Sequence, residues 1–217
     1  MIKTNSKPNI NSEPKTNSEP KTNSKPKTKL LTTRRIATIG LLAAINIMLG
    51  VTGLGIIFLT PAGVTIMHIP TIVAGILEGP LVGGIVGLIF GGFSMYQAAI
   101  TPSSPVAPAF LDPLVSVIPR ILIGIVSYYV YIGLKKILKK GSISVAAFVG
   151  SYTNTILVIS AIYFLHPVVL GITERMSMSD AGRFLLTVMG IGSVFEAIAA
   201  VILVTLIVMA IQVTRKK

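Results

Sequence analysis

The chain has 217 residues, 52% of them hydrophobic and only 12% charged, with a formal net charge of +12 and no cysteine. A soluble domain carries about a quarter of its residues as charges, and here residues 36–134 hold only Glu78, Asp112 and Arg120. Water is therefore excluded as the solvent for that stretch. The missing cysteines also exclude disulfides and thiolate-held metal centres.

Residues 1–32 read as a separate tail built on a hexapeptide, Lys-Thr-Asn-Ser-(Lys/Glu)-Pro, with prolines at positions 8, 14, 20 and 26. A proline every sixth residue blocks helix, and almost nothing apolar is present to offset ordering entropy, so disorder is expected. The remainder, residues 33–217, reads as one membrane domain.

Gly, Pro and charge divide that domain into six apolar segments, predicting an all-α bundle of six transmembrane helices. The expected spans are Thr33–Gly55, Val64–Leu77, Leu81–Ala99, Asp112–Leu134, Ile143–Leu165 and Ala181–Val213. The second is short and is followed by the Gly79-Pro80 turn, which makes it antiparallel to the third. Nine Lys/Arg residues fall in 1–35, four in 135–140 and three in 215–217, so 16 of 19 gather on one side. The positive-inside rule places that side, with both termini, in the cytoplasm. This placement absorbs the basic excess and leaves no case for nucleic acid.

Gly83, Gly87 and Gly91 repeat at four-residue spacing in the third span, a pattern that admits a neighbouring backbone closely. Ala37, Gly40 and Ala44 form a second small-residue stripe in the first span. From spacing alone it serves either internal packing or the docking of another membrane subunit.

Polar residues inside apolar spans are expensive and usually face a functional interior. The candidates are His68, Gln97, Arg120, Asn154 and Glu196. Arg120 follows Pro119, whose missing N–H frees a carbonyl near Val115. An Arg120–Glu196 ion pair is the structural reading of the two charges; a polar ligand site is the functional one. The link Ile100–Leu111, rich in proline yet apolar, is expected to cover an outward-facing pocket. No metal site and no cofactor is expected, and neither a G-x-x-x-x-G-K-[ST] nor an H-E-x-x-H motif is present. A proton-coupled secondary carrier using Glu196 or His68 is a further reading of the same residues.

The ordered motifs Met67-His-Ile-Pro70, Glu78-Gly-Pro80, Gly83-Gly84, Phe90-Gly91, Pro119-Arg120-Ile-Leu-Ile-Gly124, Tyr152-Thr-Asn-Thr-Ile-Leu-Val158 and Glu196-Ala-Ile198 resemble the substrate-binding S component of energy-coupling factor (ECF) vitamin transporters, pantothenate-type branch. The resemblance spans about residues 33–212. It implies a non-enzymatic, multi-pass subunit of a prokaryotic plasma membrane that captures a water-soluble vitamin from outside. Pantothenate is the vitamin it points to, with folate or riboflavin as alternatives. It further implies a membrane coupling subunit, two cytoplasmic ATPases that supply ATP hydrolysis, and docking through the Ala37–Gly40–Ala44 face.

Overall fold

A computed structural model describes residues 31–57, 64–102, 106–138, 141–166 and 178–214, with side chains in the last stretch described at Arg183 and from Gly192 onward. The repeat tail up to residue 30, parts of the three long links and the basic residues 215–217 lie outside the described residues.

The architecture is helical: α1 (Thr33–Val51), α2 (Ile69–Glu78), α3 (Pro80–Ile100), a 3-10 turn (Ala107–Leu111), α4 (Pro113–Ser116), α5 (Ile118–Leu138), α6 (Gly141–Leu165) and α7 (Met178–Thr214). A two-residue antiparallel pair, β1 (Ile56–Ile57) and β2 (Val64–Thr65), joins α1 to α2, with Ile56 opposite Thr65 and Ile57 opposite Val64. Five segments are long and apolar enough to cross a membrane: Thr33–Val51, Pro80–Ile100, Pro113–Leu138, Gly141–Leu165 and Gly192–Thr214. Exposed apolar residues such as Leu41, Leu88, Ile156, Ile202 and Leu206 coat the outside, as lipid-facing surfaces require.

The expected second span is corrected. Its first residues, Val64 and Thr65, belong to the strand pair, and helix begins only at Ile69, with Pro70 in the first turn. Ten residues rise about 15 Å, half the hydrocarbon thickness of about 30 Å, so α2 is a half-helix. The expected fourth span is also broken, at Val117 between α4 and α5. Asp112 caps α4 by accepting from the Leu114 N–H at 2.8 Å. Gly79, at φ 102°, supplies the left-handed residue that turns α2 directly into α3.

The glycine stripe of α3 packs internally. A Cβ on Gly83 would lie 2.8 Å from Gly75 Cα in α2 and 3.0 Å from Gly124 Cα in α5; one on Gly91 would lie 2.7 Å from Val117 Cα. Three backbones thus meet where only hydrogen fits. Dispersion between them replaces the hydrophobic drive that lipid cannot supply.

Two apolar clusters result. The larger joins Ile72, Val73 and Ile76 of α2 to Ile123 of α5, Ala146 and Ala147 of α6, and Ala200 and Val204 of α7. The smaller joins Ala109, Val115, Val158 and Ile162 towards the other end. Asn154 on α6 and Arg120 on α5 fall between the two clusters along their helices.

Candidate functional site

The layer between the clusters is polar and buried. His68, Arg120, Asn154 and Glu196 are exposed by 0%, 7%, 6% and 8% respectively. Each is delivered by a different helix, and the helices' contacts fix their level. A Cβ on Gly150 would lie 3.2 Å from Ile72, so α6 and α2 touch there. His68 is one turn above Ile72 on α2, and Asn154 one turn above Gly150 on α6, which brings them to a common depth.

Arg120 is fixed by the short helix α4 that precedes its own. Its Nη1 donates to the Val115 carbonyl at 2.7 Å, while Phe90 and Phe110 flank its guanidinium at 5.5 and 5.1 Å from their ring centroids. Phe110 belongs to the 3-10 turn, so the described end of the proline-rich link packs against Arg120. Ser116 Oγ donates to the Phe110 carbonyl and ties that turn to α4.

Glu196 does not close an ion pair with Arg120. Its Oε1 accepts from the Thr65 N–H at 2.7 Å, anchoring the strand pair to α7. Among the described residues a close ion pair lies elsewhere, between Arg34 and Glu78, and Asp112 makes a hydrogen-bond contact with His166. The structural reading of a direct Arg120–Glu196 bridge is therefore corrected to two separately anchored charges in one layer.

Several buried atoms have no hydrogen-bond partner among the described residues: both ring nitrogens of His68, Arg120 Nε, Asn154 Oδ1, and the hydroxyls of Ser127 and Ser151. An unmet buried polar atom costs about 1–3 kcal/mol. Such a set of donors and acceptors in a bundle that also buries a cation is suited to a small polar anion carrying hydroxyl and amide groups.

A family model described as "ECF transporter, substrate-specific component" matches residues 34–210. This chain belongs to that family. It is 34% identical over 168 residues to the pantothenic acid transporter PanT of Lactococcus lactis subsp. cremoris (strain MG1363), covering 71% of this chain and 81% of that protein. Membership in the ECF substrate-specific components makes it a membrane-embedded transporter subunit.

Within this family member the five expected ligand residues do not all stand alike. Gln97 donates through Nε2 to the Gly50 carbonyl at 3.2 Å, so its amide is engaged in closing the end of α1 against α3. Ala37, Gly40 and Ala44 lie exposed on α1, and a Cβ on Gly40 would meet nothing within 4 Å, whereas Ala43, Asn46 and Gly50 face inward. The α1 stripe is thus not an internal packing face.

Sequence reasoning missed three contributors. Ser151 stands one turn before Asn154 on the same face of α6, a spacing that could have revealed it. Asn46, buried in α1 and donating to Thr71 Oγ1 at 3.5 Å, was visible as a polar residue in an apolar span. The Thr65 N–H had no signal in the sequence, because a backbone donor becomes special only through its fold.

Proposed function

We propose that this subunit binds pantothenate in the polar layer and delivers it for ATP-driven import. The observation that carries the reading is Arg120, buried and oriented by the Val115 carbonyl and two rings, in a bundle that also buries the His68 ring nitrogens and Asn154 Oδ1 without a close hydrogen bond. A guanidinium grips a carboxylate through charge-assisted bonds. Asn154, His68 and Ser151 would then meet the ligand's hydroxyl and amide groups, while Glu196 holds the strand pair and offers its second oxygen to a hydroxyl. The N-terminal end of α2, the positive end of its dipole, begins at His68 and favours an anion there. The relative named as a pantothenic acid transporter supports the same vitamin.

In this reading the strand pair and α2 together complete the sixth crossing, which returns both termini to the cytoplasmic side of a prokaryotic plasma membrane. Residues 1–32 form a cytoplasmic tail. The exposed Ala37–Gly40–Ala44 face docks a membrane coupling subunit, which two ATPase subunits serve. Calorimetry on the detergent-solubilised protein, with mass spectrometry of copurifying small molecules, tests the ligand. Nanomolar binding of pantothenate is expected. Nanomolar binding of a flavin or thiamine with none of pantothenate overturns the proposal.

A further inference from the structure

A second site lies at the basic end of the bundle. A cleft of about 410 Å³ opens among the α2–α3 turn, the start of α1 and the last turns of α5 and α7. Arg35, Lys135, Glu78, Tyr131 and Gln212 supply its polar lining, and Leu77, Pro80 and Ile132 its apolar walls.

Its depth is set by the spans around it. Arg35 is the third residue of Thr33–Val51, Pro80 opens Pro80–Ile100, Lys135 lies within one turn of Leu138, and Gln212 within one turn of Thr214. All four apolar segments stop at this level, which is where hydrocarbon gives way to headgroups. Glu78, the one carboxylate lining the cleft, is paired with Arg34 at 3.5 Å. Lys135 Nζ sits 5.3 Å from the centroid of the Tyr131 ring, and the Tyr131 hydroxyl accepts from Gln212 Nε2 at 3.3 Å. The lysine is thereby held beside the opening by a ring that is itself pinned to α7.

We propose that this cleft binds the headgroup of an acidic phospholipid, with Arg35 and Lys135 facing its phosphate and Leu77, Pro80 and Ile132 taking the first carbons of its acyl chains. The two cations of the lining outnumber its one carboxylate and favour an anion, and the apolar walls favour an amphipathic one over a soluble one. Long basic side chains at a span end lay their methylenes on apolar surface and keep their charge at the headgroup level. Each cation near an acidic leaflet is worth about fivefold in occupancy. The site is separate from the polar layer and does not depend on which vitamin is bound there.

The test uses full-length protein in detergent, with phosphatidylglycerol or phosphatidylcholine of matched acyl chains added, and reads retention by native mass spectrometry and the rise in thermal unfolding temperature. Phosphatidylglycerol should be retained and stabilising, and phosphatidylcholine should be neither. Lys135 is exposed, so Lys135→Gln leaves the fold intact and should weaken retention about fivefold; adding Arg35→Gln should bring the loss to about 25-fold. Should the double variant fail to fold, the single one decides. Equal retention of both lipids, or undiminished retention in Lys135→Gln, overturns the proposal. Inorganic phosphate that stabilises the protein as well as phosphatidylglycerol does would also overturn it and assign the cleft to a soluble anion.

Discussion

Arg120 donates to the Val115 carbonyl at 2.7 Å, the oxygen that Pro119 leaves without its helical partner. One side chain thus repairs the helix break and acquires a fixed orientation in doing so. Pro119 has no N–H to offer four residues back, and in a layer closed to water an unmet carbonyl is costly. The guanidinium keeps further N–H groups for a ligand, Nε among them.

Removing that guanidinium should therefore do two things. Arg120→Ala should lower stability by about 1–3 kcal/mol through the stranded carbonyl, and weaken pantothenate binding by about 2–5 kcal/mol, or roughly 30- to several-thousand-fold. Arg120→Lys should recover only part of the affinity, since an ammonium lacks the planar fork. Calorimetry and thermal unfolding on the same preparations separate the effects. A folded Arg120→Ala protein with wild-type affinity would remove Arg120 from the ligand site.

Glu196 should respond differently to two substitutions. Glu196→Gln keeps an oxygen for the Thr65 N–H and should unfold near the wild-type temperature, although its affinity falls with the lost charge. Glu196→Ala strands that N–H and should cost about 1–3 kcal/mol. Equal stability of the two variants would mean that the 2.7 Å contact does not anchor the strand pair.

The glycines give a packing test with an internal control. Gly83→Ala drives a methyl into the α2 and α5 backbones and should destabilise by about 1–3 kcal/mol or more. At Gly92 a Cβ meets nothing within 4 Å, so Gly92→Ala should be neutral or slightly stabilising. Thermal unfolding temperatures that rank the other way would refute the three-backbone contact.

Asp112 links the start of α4 to the end of α6 through His166, whose Nε2 lies 3.1 Å from its Oδ2. The Leu114 N–H holds the Asp112 carboxyl below the usual carboxylate range; partial desolvation opposes this, and His166 reinforces it. Because the folded value is the lower one, this stabilisation is present above about pH 4, the ordinary carboxylate value, and is lost as pH falls through the folded value. Wild type should therefore outlast Asp112→Asn at pH 6, with the difference shrinking below pH 4. A difference independent of pH would exclude the mechanism.

The exposed stripe of α1 can be tested without disturbing the ligand layer. Gly40→Leu places its side chain into open space, so binding and unfolding should be unchanged. ATP-dependent uptake in vesicles reconstituted with the coupling and ATPase subunits should be abolished if this face docks. Full uptake would leave the stripe facing lipid alone.

Much of this architecture was legible in the residues. Long apolar stretches must be helical, because lipid offers no partner for a free backbone group. Clustered Lys and Arg supported an expectation of orientation, and a charge beside a proline marked the interior of α5. The Gly83–Gly87–Gly91 spacing required a close neighbour but could not say which; α2 and α5 were chosen by tertiary packing. Composition also could not separate a half-helix from a short span. The strand pair Ile56–Ile57 with Val64–Thr65 shortens α2, and it depends on the Thr65 N–H finding Glu196, 131 positions away in the chain. The partners of Arg120 and Glu196 were decided in the same way. The sequence left an ion pair and a polar ligand site both open for these two charges, and in the fold each makes its hydrogen bond to a backbone group. Local chemistry determined what had to be buried; only the assembled fold determined what it would be buried against.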